Sequence, residues 1–99
     1  MRKAALLYER VELEIPDVEL PCVEFAEKRG WLCQKLVSQT SRGWPDRFFA
    51  RSGVIVFWEF KRKGSEPTLQ QLARHREMRE HGIIVKWTDN VEEFMAYMR

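Results

Sequence analysis

The chain has 99 residues, about one domain's worth, and its hydrophobic (44%) and charged (32%) fractions with only 5 Gly and 4 Pro exclude a disordered or fibrous polymer. The longest uncharged apolar run, Val54 to Trp58, is far short of the roughly 20 residues that span a bilayer. Met1-Arg2-Lys3 leads into no signal-peptide apolar region, so the expectation is a single cytoplasmic domain over 1–99 with no membrane partner. The net charge of +2 hides an uneven distribution: residues 1–30 carry 5 basic and 7 acidic side chains, 31–81 carry 10 and 5, and 82–99 carry 2 and 3. A basic middle interleaved with Trp fits a polyanion-binding surface, although a solvated face has the same composition.

In chain order, Val11 to Ile15 alternates like a strand while Ala4, Leu7, Tyr8 and Val11 fit a helical face, and Pro16 ends either one. Residues 1–16 therefore read as an N-terminal arm. Asp17 is a reasonable N-cap for a helix from Val18 to Arg29, stopped by Gly30. Trp31 to Val37 reads as a strand and Ser38 to Gly43 as a polar loop. Arg47 to Ala50 and Val54 to Phe60 are joined by the hairpin punctuation Arg51-Ser52-Gly53 and should pair antiparallel. Both faces of the second run are apolar, as in a central strand covered on both sides. Thr68 with Gln71 forms a capping-box start to a helix that stops at Gly82. Ile83 to Trp87 is a short buried strand, and Val91 to Tyr97 a closing helix capped near Asp89 or Asn90. The order predicts an α/β fold: a mixed four-stranded sheet flanked by helices, α-β-β-β-α-β with the arm before it and a C-terminal helix after. Cys22 and Cys33, with no neighbouring His or Cys cluster, read as two reduced thiols.

The chemistry-bearing residues stand at the hairpin's open end. Pro45-Asp46 opens one strand and Glu59-Phe60-Lys61 ends the other, with Glu59 and Lys61 on one face and Phe60 pointing away. Register decides whether the acids meet. A three-residue loop sets Asp46 opposite Trp58, on the wrong face, unless a bulge re-aims it. A two-residue Ser52-Gly53 turn sets Asp46 opposite Glu59 and brings the carboxylates within reach of one cation. Two carboxylates and the Phe60 carbonyl are the hard oxygen ligands that Mg²⁺ takes, and a buried-side acid pair with a single lysine is costly without a cation. Lys61 beside them suits holding or deprotonating an attacking water, or offsetting charge on phosphorus. Either motif alone is commonplace; the combination is what carries weight.

The set Glu19, Gly30-Trp31, Lys35, Arg42-Gly43-x-Pro45-Asp46-Arg47, Glu59-Phe60-Lys61 and the Gln after Pro67-Thr68 resembles the PD-(D/E)xK nuclease superfamily, and within it the small stand-alone VRR-NUC (virus-type replication-repair nuclease) proteins. That resemblance implies a restriction-endonuclease-like core and divalent-metal-dependent cleavage of branched DNA, four-way (Holliday) junctions above all, in replication, repair and recombination, by a homodimer to which the arm would contribute. It implies Mg²⁺, with Mn²⁺ as a substitute, on nucleoid or viral DNA. Residue by residue, Asp46, Glu59 and Glu19 would be catalytic metal ligands together with the Phe60 carbonyl, Lys61 the catalytic lysine, and Gln71 a further site residue. Glu24 is the rival of Glu19, about 140° around the helix, and Val23 and Ala26 share the side of Glu19. Gln71 has a purely structural alternative as the N3 residue of its capping box. Lys35, Arg42, Arg47 and Lys63 are candidate phosphate contacts, and Trp44 stacks on an unpaired base or packs under its loop. His75 shares the i, i+4 row of Gln71 but carries no role. An exonuclease or restriction-like enzyme, or a non-catalytic DNA-binding module of the same fold, would share much of this pattern.

Overall fold

The computed structural model describes residues 18–37 and 42–99. The arm over 1–16 and the Asp17 cap lie outside the described residues. Four strands, β1 (Leu32–Lys35), β2 (Arg47–Arg51), β3 (Val54–Phe60) and β4 (Ile84–Thr88), form one sheet in the order β1-β2-β3-β4. The first three are antiparallel, and β4 joins β3 in parallel. Helices α1 (Glu19–Lys28), α2 (Leu69–Glu80) and α3 (Val91–Met98) complete the expected order. A parallel return needs a crossover, and α2 supplies it.

The β2–β3 reversal is the tightest constraint. Arg51 pairs with Val54, leaving Ser52 and Gly53 as a two-residue turn with φ of 52° and 80°. Positive φ at both central positions is the primed turn that matches the twist of a hairpin. Counting from that turn sets Arg47 opposite Trp58, so the next residues along, Asp46 and Glu59, share a face.

Alternation then divides the side chains. One face presents Phe49, Val56, Trp58 and Phe60, all buried, to the buried α1 residues Cys22 and Ala26 and the buried α3 residues Phe94 and Met98. Phe94 sits at its centre, with ring centroids 5.2 Å from Phe49, 4.7 Å from Trp58 and 5.6 Å from Phe60. Trp31 Nε1 donates to the Met98 carbonyl at 2.9 Å and ties the turn after α1 to the C-terminus. The other face carries Asp46, Phe48, Phe57, Glu59 and Val85. Here α2 covers only the part nearest β4, burying His75 and Met78.

Several boundaries depart from expectation. The ladder of β1 is four residues long, Leu32 to Lys35 against Ala50 to Arg47. Helix α1 begins at Glu19, and Val18 before it gives no side-chain cap. On β3 the expectation of cover on both sides fails towards the turn: Ile55 is 52% exposed, since α2 does not reach that far. Asn90, not Asp89, caps α3 by accepting from the Glu93 N–H. Both cysteines are free, and burial pushes the Cys22 thiol up to about 12.

The closing helix is thus a structural part of the core. Phe94→Ala should cost about 3–5 kcal/mol, read as a lower urea midpoint with an unchanged slope, and no loss would show that the three rings pack without it.

Candidate active site at the open end of the hairpin

The site begins where the β2–β3 ladder stops. Beyond Arg47 the backbone of β2 no longer pairs with β3, and the Asp46 carboxylate takes over: its Oδ2 accepts the Phe60 N–H at 2.8 Å. Behind it, the Asp46 carbonyl accepts the Leu36 N–H at 2.8 Å, and Pro45 is fully buried. Asp46 is therefore held by main chain on two sides. Gly43, two residues before Pro45, has φ of +83°, and a Cβ there would lie 2.9 Å from the Gln70 carbonyl oxygen. Only glycine lets this loop lie so close to α2.

Glu59 is 2% exposed. Its Oε2 accepts from Gln71 Nε2 at 3.0 Å and lies 3.6 Å from Lys61 Nζ. The two alternatives for Gln71 coexist: Oε1 accepts the Thr68 N–H at 2.9 Å as the capping box requires, while Nε2 serves Glu59. The Asp46 carboxyl is near enough to Glu59 for its charge to act on it. Two acids this close cannot both ionise cheaply. Burial first, and then the charge of Asp46, raise the Glu59 carboxyl to about 7 against the pull of Lys61. Asp46 is raised as well, mainly by burial, with the Phe60 N–H working the other way. Glu59 Oε1 is buried with no hydrogen-bond partner among the described residues. An orphaned carboxylate oxygen beside a second acid is the donor set of a hard divalent cation, and the residues present fit one. The side chain of Phe60 turns into the core while its peptide holds Asp46.

Glu19 stands apart from this pair. It is buried, as Glu24 is not, so the helix turns the preferred acid inward. Its Oε2 accepts from Arg47 Nε at 2.6 Å and lies 3.6 Å from Lys35 Nζ. Lys35 and Arg47 share a face opposite to that of Glu59. No three His, Cys, Asp or Glu side chains among the described residues converge on a metal position. Glu19, expected as a third ligand, is held here by these two cations on the α1 side, and its charge still reaches Asp46 and raises that carboxyl. The same pairing changes the place of Arg47. Its side chain is 16% exposed and bonded to Glu19 and Cys33 Sγ, so it braces β2 against α1 and offers little surface to a phosphate.

Lys35, Arg42 and Lys63 are exposed, and Trp44 is 38% exposed. One neighbour, Arg74, is not foreseen from the sequence, and His75 carries no role there. Arg74 reaches back from α2 so that its guanidinium lies 4.8 Å from the Trp44 ring centroid, and its Nε donates to the Arg42 carbonyl at 3.4 Å. The i, i+4 spacing of Gln70 and Arg74 is the only trace of this in the sequence. His75 is fully buried with neither ring nitrogen hydrogen-bonded among the described residues, and burial, with Arg79 and Lys61, lowers its pKa.

Fold and site together match the PD-(D/E)xK pattern: a mixed sheet with acids at a hairpin's open end and a lysine two residues on. A solved structure described as "VRR_NUC domain" superposes with a TM-score of 0.64 at 28% identity, covering 75% of this chain and 86% of that one. The chain is also 41% identical over 59 residues to "Putative nuclease p44" of Acyrthosiphon pisum secondary endosymbiont phage 1, and that match takes in 59% of this chain and 63% of the phage protein. No family model matches the sequence. The fold of this chain is that of a VRR-NUC domain.

The raised Glu59 carboxyl has a measurable consequence in chelator. Below about pH 4.5 folded and unfolded states both hold the proton; between 4.5 and about 7 only the folded state does, so stability falls as pH rises through that window. His75 has the opposite slope, because the unfolded chain takes up a proton below about 6.5 that the buried ring resists. Glu59→Gln removes the first effect alone. Its stability relative to the parent should climb from pH 4.5 to 7, on the order of 2 kcal/mol by pH 8, in urea titrations; a pH-independent difference would refute the acid pair.

Proposed function

We propose that this chain hydrolyses phosphodiester bonds of DNA with a bound Mg²⁺ or Mn²⁺, and that its substrates are branched replication and repair intermediates, four-way junctions among them. The observation that carries this reading is the Asp46–Glu59 acid pair with Lys61 3.6 Å from Glu59 and Gln71 fixing the same oxygen. The names borne by the similar proteins support a nuclease. Branched DNA and repair follow from the VRR-NUC resemblance.

Asp46 and Glu59 would hold the cation, which when bound neutralises charge on a phosphate oxygen and makes water a better nucleophile at neutral pH. The remaining work belongs to the chain. Gln71 keeps Glu59 from rotating away, and the Phe60 N–H does the same for Asp46. Lys61, with its side chain 19% exposed, has its ammonium at the mouth of the site, where it holds the attacking water or meets charge developing on phosphorus. Arg42, Lys35 and Lys63 draw in the strand without reading its sequence. One chain supplies one such site, so matched cuts on two strands call for two copies, and a twofold homodimer is the assembly we expect. No helix among the described residues is long and apolar enough to cross a membrane.

The test is a labelled panel of duplex, flap, splayed and four-way DNA with Mg²⁺ and with chelator. The parent should cut at least one substrate only with metal; no metal-dependent product would end the nuclease reading. Asp46→Asn should abolish cleavage while DNA affinity in chelator stays within a few fold, because one ligand charge matters more to the cation than to the basic surface. Lys61→Ala should slow turnover about 100-fold or more with little change in affinity. If rate and affinity fall together, Lys61 is a phosphate anchor. Millimolar Mg²⁺ should also raise the melting temperature of the parent and leave that of Asp46→Asn unchanged.

A further inference from the structure

Beside the acid pair lies an apolar cleft of about 280 Å³, lined by Leu36, Val37, Trp44 and Phe57. Two of its walls adjoin the acids: Phe57 is two residues before Glu59 on the same face of β3, a separation of roughly 7 Å along a strand, and Trp44 lies in the loop that leads into Asp46. Leu36 is fixed at the back by its N–H on the Asp46 carbonyl. The other three walls are available from solvent: Val37 is 81% exposed, Trp44 38%, and Phe57 half-buried.

We propose that this cleft takes one unpaired nucleobase of the strand whose phosphate lies at Asp46 and Glu59, with the Trp44 ring as its stacking surface; the proposal rests on the DNA-cleaving reading above. Size, chemistry and charge each favour that occupant. A cleft just under the roughly 300–1,000 Å³ of ordinary small-molecule sites takes one flat ring, and neither a duplex nor a helix. Every base has an apolar face that stacks on an indole whatever its sequence. Cationic side chains stand next to it: the Arg74 guanidinium, itself ion-paired with Glu77, lies 4.8 Å from the Trp44 ring centroid, and its bond to the Arg42 carbonyl places the exposed Arg42 on the same loop. An apolar floor with guanidinium groups beside it is complementary to a base attached to its phosphate, and a protein partner's apolar side chain would gain nothing from those groups. Arg74 over the indole and Gly43 against α2 hold Trp44 in place before any DNA arrives. In a fully paired duplex the bases are stacked on one another and out of reach, so the cleft would favour DNA with an unpaired base next to the cut, as at a fork or a frayed junction.

The experiment measures binding by fluorescence anisotropy in chelator, so that no cleavage is needed. The DNA is a duplex with a single-stranded extension of five thymidines, against the same duplex with abasic residues in the extension. The intact protein should bind the thymidine extension about 5- to 150-fold more tightly than the abasic one. Trp44→Ala should remove that preference and leave affinity for the abasic DNA close to the parent's, while Trp44→Phe keeps most of it. Equal affinity of the parent for both DNAs overturns the proposal, and this comparison uses an unaltered protein. So does an equal loss on both DNAs in Trp44→Ala. If Val37→Asp turns a sedimenting dimer into a monomer and leaves the thymidine preference intact, the cleft belongs to a second copy of the chain and the proposal falls. Failure of the cleavage reading shows separately, as absence of a Mg²⁺-dependent product with the base preference still present.

Discussion

Two residues of left-handed backbone, Ser52 and Gly53, decide which side of the sheet every functional group occupies. Because a strand's side chains alternate, one more residue in that turn would rotate Asp46 into the aromatic core and leave Glu59 alone. With the two-residue turn, the acids come out on the face that α2 crosses, and the aromatic side chains on the face that α1 and α3 close. The core and the site are thus fixed by the same register, and neither can be shifted without the other. Asp46 then ends the ladder by bonding the Phe60 N–H with its side chain, where the next backbone carbonyl of a longer β2 would have sat.

What this register assembles is unfavourable by itself. Glu59 is nearly inaccessible, faces a second acid, and has one oxygen with no partner among the described residues. Lys61 and Gln71 offset part of the cost on the other oxygen. A carboxyl raised to about 7 is poised between a shared proton and a cation at neutral pH. The core opposite, with Phe94 among three other rings, is where the stability to carry that arrangement comes from.

Element order was legible in the sequence because hydrophobic runs and Gly, Pro and Thr punctuation sit at nearly every boundary. Asp46, Glu59 and Lys61 were legible as neighbours because a hairpin brings its two ends together, while a shared face for the two acids depended on the register. The register was not, since Arg51-Ser52-Gly53 permits two turn lengths and a serine with φ of 52° follows from no simple preference. Glu19 was chosen over Glu24 by its face, but the capture of its charge depended on Arg47 and Lys35 lying side by side across β1 and β2, a tertiary fact. The row of Gln71, His75 and Met78 was legible, but in a helix so rich in Gln, Arg and Glu that only His75 and Met78 are buried, the full burial of His75 was not. The half-open face of β3 escaped for a similar reason: an apolar residue such as Ile55 states what it prefers, and only the length of α2 states what covers it.

Gln71 spends both ends of its amide at once, on the start of α2 and on Glu59. The first turn of a helix is ordinarily its loosest part and opens many times for each global unfolding event. Here such an opening removes the capping acceptor and the carboxylate's donor in one motion. The lifetime of the competent site is therefore bounded by the fraying rate of a single helical turn, and slowing amide exchange at Gln71 and lengthening the working life of Glu59 become the same physical change.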